Sequence, residues 1–215
     1  MYLDTADMKE IKDAMKCGIF KGITTNPTIL LKSQKAREEQ MKEILAEENV
    51  DFLYVQAVGE SLEERYEDCK VIFSYGENIG VKIPVDMIGL ELIQKIKKAF
   101  PERKILGTAI YSADQGILGA LAGCDMLAPY VNRMANNDID PFAAISIMRR
   151  FIDERALPTQ IIAASFKNAG QVTKALESGS HTATLPYDVF LQMVEKTLAI
   201  EAIKVFNQHG KVYII

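Results

Sequence analysis

Short apolar, β-branched runs alternate with amphipathic stretches along the whole 215-residue chain. The runs begin at Tyr2 (YLDT), Gly22 (GITT), Phe52 (FLYVQAV), Gly80 (GVKIPV), Lys104 (KILGTAI), Met126 (MLAPYV), Gln160 (QIIAAS) and Thr182 (TATLP). Successive starts lie 20 to 34 residues apart, about 26 on average, which is room for one strand, one crossover helix and two short loops. After the third run, Leu62, Tyr66, Cys69 and Phe73 recur at helical spacing and predict one buried helix face. Leu118 with Leu121 predicts the same after the fifth run, and Ile145, Met148 and Ile152 after the sixth. The runs themselves mostly do not alternate in polarity, as expected of parallel strands covered on both sides.

Eight such units in a row have one common closed solution, a (β/α)8 TIM barrel. The expectation is a single α/β domain over residues 1–215, with a C-terminal helix. An open doubly wound sheet is the alternative. No GxGxxG follows the first run, so the dinucleotide-binding form of that fold loses its main support. Prolines and glycines stand singly at element ends, and no linker or low-complexity segment divides the chain.

In such a barrel, chemistry belongs at the C-terminal ends of the strands. There the runs collect Asp4, Thr24 with Asn26, Gln56, Lys82, Thr108, Tyr130 with Arg133, and Ser165 with Lys167, a polar residue on seven of the eight strands. Lys82 is the sharpest signal, because it interrupts Val81-Lys82-Ile83-Pro84-Val85. Alternation puts it on the face opposite Val81 and Ile83. If those two face the helices, the lysine points into the barrel, where burial disfavours an ammonium and leaves free amine to attack a carbonyl. A lysine that snorkels to solvent or pairs with a carboxylate is the plainer account.

The neighbours also have two readings. Asp4 beside a lysine can relay protons, or it can cap the first helix. Thr24-Thr25-Asn26-Pro27 is either a set of binding groups or a turn fixed by Asn-Pro. Gln56 can orient a water, or can make a buried structural hydrogen bond. Tyr130 can pass a proton through a water, or sit as a core tyrosine with a satisfied hydroxyl. Arg133, Ser165 and Lys167 together suit a phosphate, although Lys167 also reads as solvated surface charge.

Composition narrows the classes. A formal net charge of −4 and a pI near 5.4 remove the electrostatic case for nucleic acid or an anionic membrane. No apolar run approaches the roughly 18 residues of a membrane span, and no signal-peptide pattern opens the chain. Cys17, Cys69 and Cys124 are odd in number and scattered, which predicts a reducing, cytoplasmic setting; Cys69 and Cys124 read as helical. His181 and His209 have no metal-ligand spacing, and His181 reads as structural. No GxSxG or P-loop occurs, and the reading calls for no metal and no cofactor.

Several of these segments resemble one family. Leu3-Asp4-Thr5, Gly22-Ile23-Thr24-Thr25-Asn26-Pro27-Thr28, Val81-Lys82-Ile83-Pro84, Ala128-Pro129-Tyr130-Val131-Asn132-Arg133 and Ala163-Ala164-Ser165-Phe166-Lys167 look like the small-transaldolase family, in order from Met1 to about Gln208. In that family transaldolases carry a glutamate on the third strand and usually a phenylalanine on the sixth. The fructose-6-phosphate aldolase branch carries glutamine and tyrosine, as Gln56 and Tyr130 do here, and Leu106-Gly107-Thr108-Ala109-Ile110-Tyr111 also looks like that branch.

The resemblance implies a metal-independent class I aldolase that splits fructose 6-phosphate into dihydroxyacetone and glyceraldehyde 3-phosphate. Lys82 would form the Schiff base, with Asp4, Gln56 and Tyr130 handling the catalytic water. Thr24, Asn26 and Thr108 would line the site, and Arg133, Ser165 and Lys167 would bind phosphate. It also implies a homo-oligomer, typically a decamer, with the last helix packing on a neighbour. Transfer of the dihydroxyacetone unit between sugar phosphates is the alternative activity. A retired barrel that only binds sugar phosphates is a further one. The tail Asn207–Ile215 matches no motif.

Overall fold

A computed structural model describes residues 1–213 and contains a closed eight-stranded parallel barrel. The strands are β1 (Tyr2–Asp4), β2 (Gly22–Thr24), β3 (Phe52–Gln56), β4 (Ile79–Pro84), β5 (Ile105–Ile110), β6 (Met126–Pro129), β7 (Gln160–Ala163) and β8 (Thr182–Leu185). Each pairs with the next, and β1 closes the ring on β8 through Tyr2↔Thr184 and Leu3↔Leu185. The helices are α1 (Met8–Met15), α2 (Pro27–Lys32), α3 (Arg37–Leu45), α4 (Leu62–Phe73), α5 (Met87–Ala99) and α6 (Ala113–Ala122). They continue with α7 (Val131–Ala135), α8 (Pro141–Glu154), α9 (Ala169–Glu177), α10 (Tyr187–Val194) and α11 (Thr197–Gly210). The predicted (β/α)8 barrel with a C-terminal helix is the observed fold. Six of the eight run starts coincide with strand starts; β4 begins one residue earlier and β5 one later.

Two apolar clusters make up the interior. The larger lies between the strands and the helices and includes Val81, Ile83, Ile93, Ile145 and Met148. The smaller fills the barrel itself with Tyr54, Leu106, Met126, Ala128, Ile162 and Ala164. Because Val81 and Ile83 belong to the outer cluster, the lysine between them is turned inward.

Helix starts are set by local chemistry. Asp7 caps α1 by accepting from Lys9 N and Glu10 N, so Asp4 is not the cap of that helix. Asn26 caps α2, with Pro27 at its first position. Ser61 and Glu64 form a capping box on α4.

Two sequence expectations are corrected here. Leu118 and Leu121 do lie on a helix, but they are 49% and 55% exposed. The side of α6 that meets the barrel carries Gly116, Gly119, Ala120 and Ala122 instead. A Cβ on Gly116 would come within 2.0 Å of Met148 Sδ, and one on Gly119 within 2.9 Å of Leu127 Cδ2, so close approach of the helix selects small residues. Cys124 is not helical: α6 stops at Gly123, which takes the left-handed conformation at φ 100°, and Cys124 follows it, buried. Burial pushes the Cys124 and Cys69 thiols up to about 12.

His181 sits before β8, where its Nδ1 accepts from Ile161 N at 2.9 Å, a structural role. Helix α11 buries none of its residues, and of the tail Asn207–Ile215 the last two lie outside the described residues. Among the described residues no helix is long and apolar enough to cross a membrane.

Candidate active site

A cavity of about 470 Å³ opens at the C-terminal ends of the strands. Asp4, Asn26, Lys82, Tyr130, Arg133, Ser165 and Lys167 all line it, which brings together seven of the ten residues singled out in the sequence. Lys82 is 4% exposed, and its Nζ donates to the carbonyl of Thr25 at 2.7 Å. That carbonyl follows β2, so the TTNP segment holds the amine through its backbone.

Asp4 stands next in the ring. Its Oδ1 accepts from Thr24 Oγ1 at 2.6 Å, and Thr24 Oγ1 also meets Thr184 Oγ1 at 2.6 Å. Burial pushes the Asp4 carboxyl above the usual carboxylate range, against the opposing pull of Lys82, the Thr24 hydrogen bond and Arg133. A carboxyl so placed holds its proton further toward neutral pH than a solvated one, which suits proton transfer. Thr24, fully buried, therefore acts on the site through Asp4.

Tyr130 closes the opposite side. Its hydroxyl shares a hydrogen bond with Thr108 Oγ1 at 2.9 Å, so Thr108 positions the phenol and does not itself line the cavity. The Arg133 guanidinium lies 4.9 Å from the Tyr130 ring centroid and donates to Tyr111 Oη at 3.2 Å. Tyr111 in turn packs edge-on against Tyr130, with centroids 5.5 Å apart. The loop that carries Tyr111 is locked by Gln115, which accepts from Tyr111 N and donates to Val85 O.

Two non-glycine residues near the site have positive φ: Ala109 at 55° and Ser165 at 63°. Each such residue costs about 1–3 kcal/mol and persists only where its surroundings hold it. At Ala109 the β5–β6 register shifts between Gly107 and Ile110. At Ser165 the backbone carbonyl accepts from Asn132 N at 2.8 Å, which ties the β7 end to the start of α7. Arg133, Ser165 and Lys167 all line the cavity, adding a guanidinium, a hydroxyl and an ammonium to it.

Gln56 is placed differently. It is the register partner of Lys82 on β3, yet it lines a neighbouring recess of about 320 Å³ with Pro27, Leu30 and Leu31 and not the Lys82 cavity. Several contributors were missed in the sequence. Thr184 supplies the eighth strand with a polar group, and its inward alternation in Thr182-Ala183-Thr184-Leu185 was a readable signal. Tyr111, Lys32 and Asp188 reach the site from loops and helices, where no strand period marks them. Among the described residues no three His, Cys, Asp or Glu side chains converge as metal ligands.

Known proteins resemble this chain over nearly its whole length. The family model described as transaldolase/fructose-6-phosphate aldolase matches residues 1–213. A probable transaldolase of Dehalococcoides mccartyi is 33% identical over 215 residues, covering 98% of this chain and 97% of that protein. A probable fructose-6-phosphate aldolase of Streptococcus pneumoniae is 37% identical over 193 residues, with 87% and 85% covered. A probable transaldolase of Oceanobacillus iheyensis is 32% identical over 207 residues, with 95% of each covered. A whole-chain match of this kind, on a closed barrel with a lysine turned inward, establishes that the chain belongs to the transaldolase/fructose-6-phosphate aldolase family.

Proposed function

We propose that the chain is a class I aldolase that reversibly cleaves fructose 6-phosphate to dihydroxyacetone and glyceraldehyde 3-phosphate. The observation that carries this reading is the inward Lys82 amine in a cavity it shares with Asp4, Tyr130, Arg133 and Lys167. The amine would attack the ketose C2, and loss of water would leave a protonated imine. Removal of the proton from the C4 hydroxyl then breaks the C3–C4 bond. The electron pair moves into the imine to give an enamine, and glyceraldehyde 3-phosphate leaves. Protonation of C3 and hydrolysis of the imine release dihydroxyacetone and restore the amine.

In this scheme Tyr130, held by Thr108, would donate through a water to C3. Asp4 would shuttle the proton of imine formation, while Arg133, Ser165 and Lys167 would hold the phosphate and Asn26 the donor hydroxyls. Gln56, the register partner of Lys82, would orient water beside the amine.

Transfer of the three-carbon unit to another aldose is the second reading, favoured by the two relatives named probable transaldolase. One assay separates the two. Fructose 6-phosphate is supplied with a chelator and no acceptor aldehyde, and glyceraldehyde 3-phosphate is followed. Continuous release supports the aldolase; release only after erythrose 4-phosphate is added means a transaldolase. Borohydride with dihydroxyacetone should add irreversible mass to the wild type and none to Lys82→Ala. Mass gained by that variant would refute the assignment of the imine lysine.

Self-association is part of the same proposal. Helix α11 keeps Leu198, Ile203 and Phe206 exposed at 81%, 55% and 68%, an apolar surface suited to a second copy of the chain.

A further inference from the structure

The barrel also has an opening at the N-terminal ends of its strands, on the face opposite the Lys82 cavity. A cavity of about 450 Å³ enters there. Tyr2, Phe52 and Tyr54 wall it, with ring centroids 4.9 Å apart for Phe52–Tyr54 and 5.9 Å for Tyr2–Tyr54. Gly80 makes room for these rings: a Cβ there would stand 2.7 Å from Tyr54 Cε1 and 2.9 Å from Phe52 Cε1. The rings therefore lie over bare backbone of β4. Leu106, Ala128 and Ile162, all buried, fill the barrel interior alongside them.

Tyr54 gives the cavity a polar anchor. The residue is 3% exposed, and its hydroxyl donates to Met126 Sδ at 3.6 Å. A thioether is a weak acceptor, so this buried phenol holds a donor that an incoming oxygen would use far better. Burial pushes the phenol above its ordinary range, which keeps it protonated and donating.

The rim carries both signs of charge. Lys21, Lys104, Asp51 and Asp125 line the mouth. Asp125 is already shared by Lys97 at 2.6 Å and Lys104 at 3.2 Å. Lys21 forms no salt bridge among the described residues, and its charge acts on the Met1 ammonium beside it. Asp51 likewise forms no salt bridge among the described residues, and Lys21 is the rim cation left for an incoming anion.

We propose that this mouth is a second binding site, for a flat aromatic carboxylate that carries an oxygen at its far end. The ring system stacks on the aromatic wall, the far oxygen accepts from Tyr54, and the carboxylate meets Lys21. The site is separate from the sugar-phosphate cavity and does not depend on the activity proposed for it.

Calorimetric titration with 6-hydroxy-2-naphthoate and with 2-naphthoate tests it. Both acids should bind saturably, one per chain, with the hydroxylated one about fivefold tighter, the worth of one ordinary hydrogen bond. Tyr54→Phe should abolish that advantage. Lys21→Glu, a surface change that leaves the core intact, should weaken both acids about fivefold or more. Arg133→Ala, at the other end of the barrel, should change neither. No saturable binding, equal affinity of the two acids for the wild type, indifference to Lys21→Glu, or loss of binding in Arg133→Ala would each overturn the proposal.

Discussion

Replacing Thr24 by valine keeps the shape of a fully buried side chain and deletes the one hydroxyl that links Asp4 to Thr184. Thr184 is 1% exposed, so its own hydroxyl loses a partner in a place water does not replace, at a cost of about 1 kcal/mol or more. The bond to Asp4 depends on charge. A hydrogen bond to an ionised carboxylate is worth about 1.5–3 kcal/mol, and one to the neutral acid about half that.

Burial raises the Asp4 carboxyl in the folded chain, so the native state keeps this proton to higher pH than the unfolded state, whose value is about 3.9. That contribution to stability is complete below the unfolded value and is lost as pH rises through the native one. Without Thr24 the ionised form loses a stabilising partner, the native value rises further, and the loss extends over a wider range. The variant should therefore cost about 2 kcal/mol in acid and about 3 kcal/mol near pH 8. For a chain of 215 residues this is a melting gap that grows from about 5 °C to about 7 °C. Thermal melts of both proteins between pH 4 and 8, followed by circular dichroism, measure it. A gap that stays flat or narrows as pH rises would refute the coupling of Thr24 to the Asp4 charge.

Three further outcomes follow from the same geometry. Gly116→Ala should destabilise the barrel by about 1–3 kcal/mol, because its Cβ would lie 2.0 Å from the sulfur of buried Met148. Denaturant melts of this variant alone and with Met148→Ala should show part of the loss relieved in the double variant. His181 is held below its ordinary value, mainly by burial, and accepts from Ile161 N through Nδ1. Its share of stability is present above the unfolded value of about 6.5 and is lost as pH falls through the lower folded value, so His181→Gln should flatten the decline of melting temperature between pH 7 and 5. Arg133→Ala should raise KM for fructose 6-phosphate about 10- to 100-fold while leaving trapping of unphosphorylated dihydroxyacetone nearly unchanged, as steady-state kinetics and borohydride mass gain would report.

The barrel was legible because the strands are short and mostly apolar runs separated by amphipathic stretches; the spacing of eight such runs leaves little choice of closure. Helix faces were less legible. In α6 a hydrophobicity pattern picks Leu118 and Leu121, whereas packing picks Gly116 and Gly119, since the inner side is chosen by how close the helix must come. Cys124 was misjudged by one feature, the left-handed Gly123 before it, which ends the helix.

In the site, period-2 alternation was enough to turn Lys82 inward, and strand ends were enough to gather Asp4, Tyr130, Arg133 and Lys167. What alternation does not contain is the partner of each group. The Asp4–Thr24–Thr184 chain needs β1 to close on β8, across 160 residues between Thr24 and Thr184, and the Tyr111–Arg133 contact needs two loops to meet. Gln56 shows the limit most clearly. Register places it beside Lys82, but α2 leaves an apolar recess next to it, and the residue lines that recess and not the Lys82 cavity. Of the two positions that separate cleavage from transfer by resemblance, only Tyr130 thus stands in the Lys82 cavity, with its hydroxyl fixed by Thr108. The proposed cleavage activity consequently leans on that phenol, which can deliver a proton to the enamine before a second aldehyde arrives.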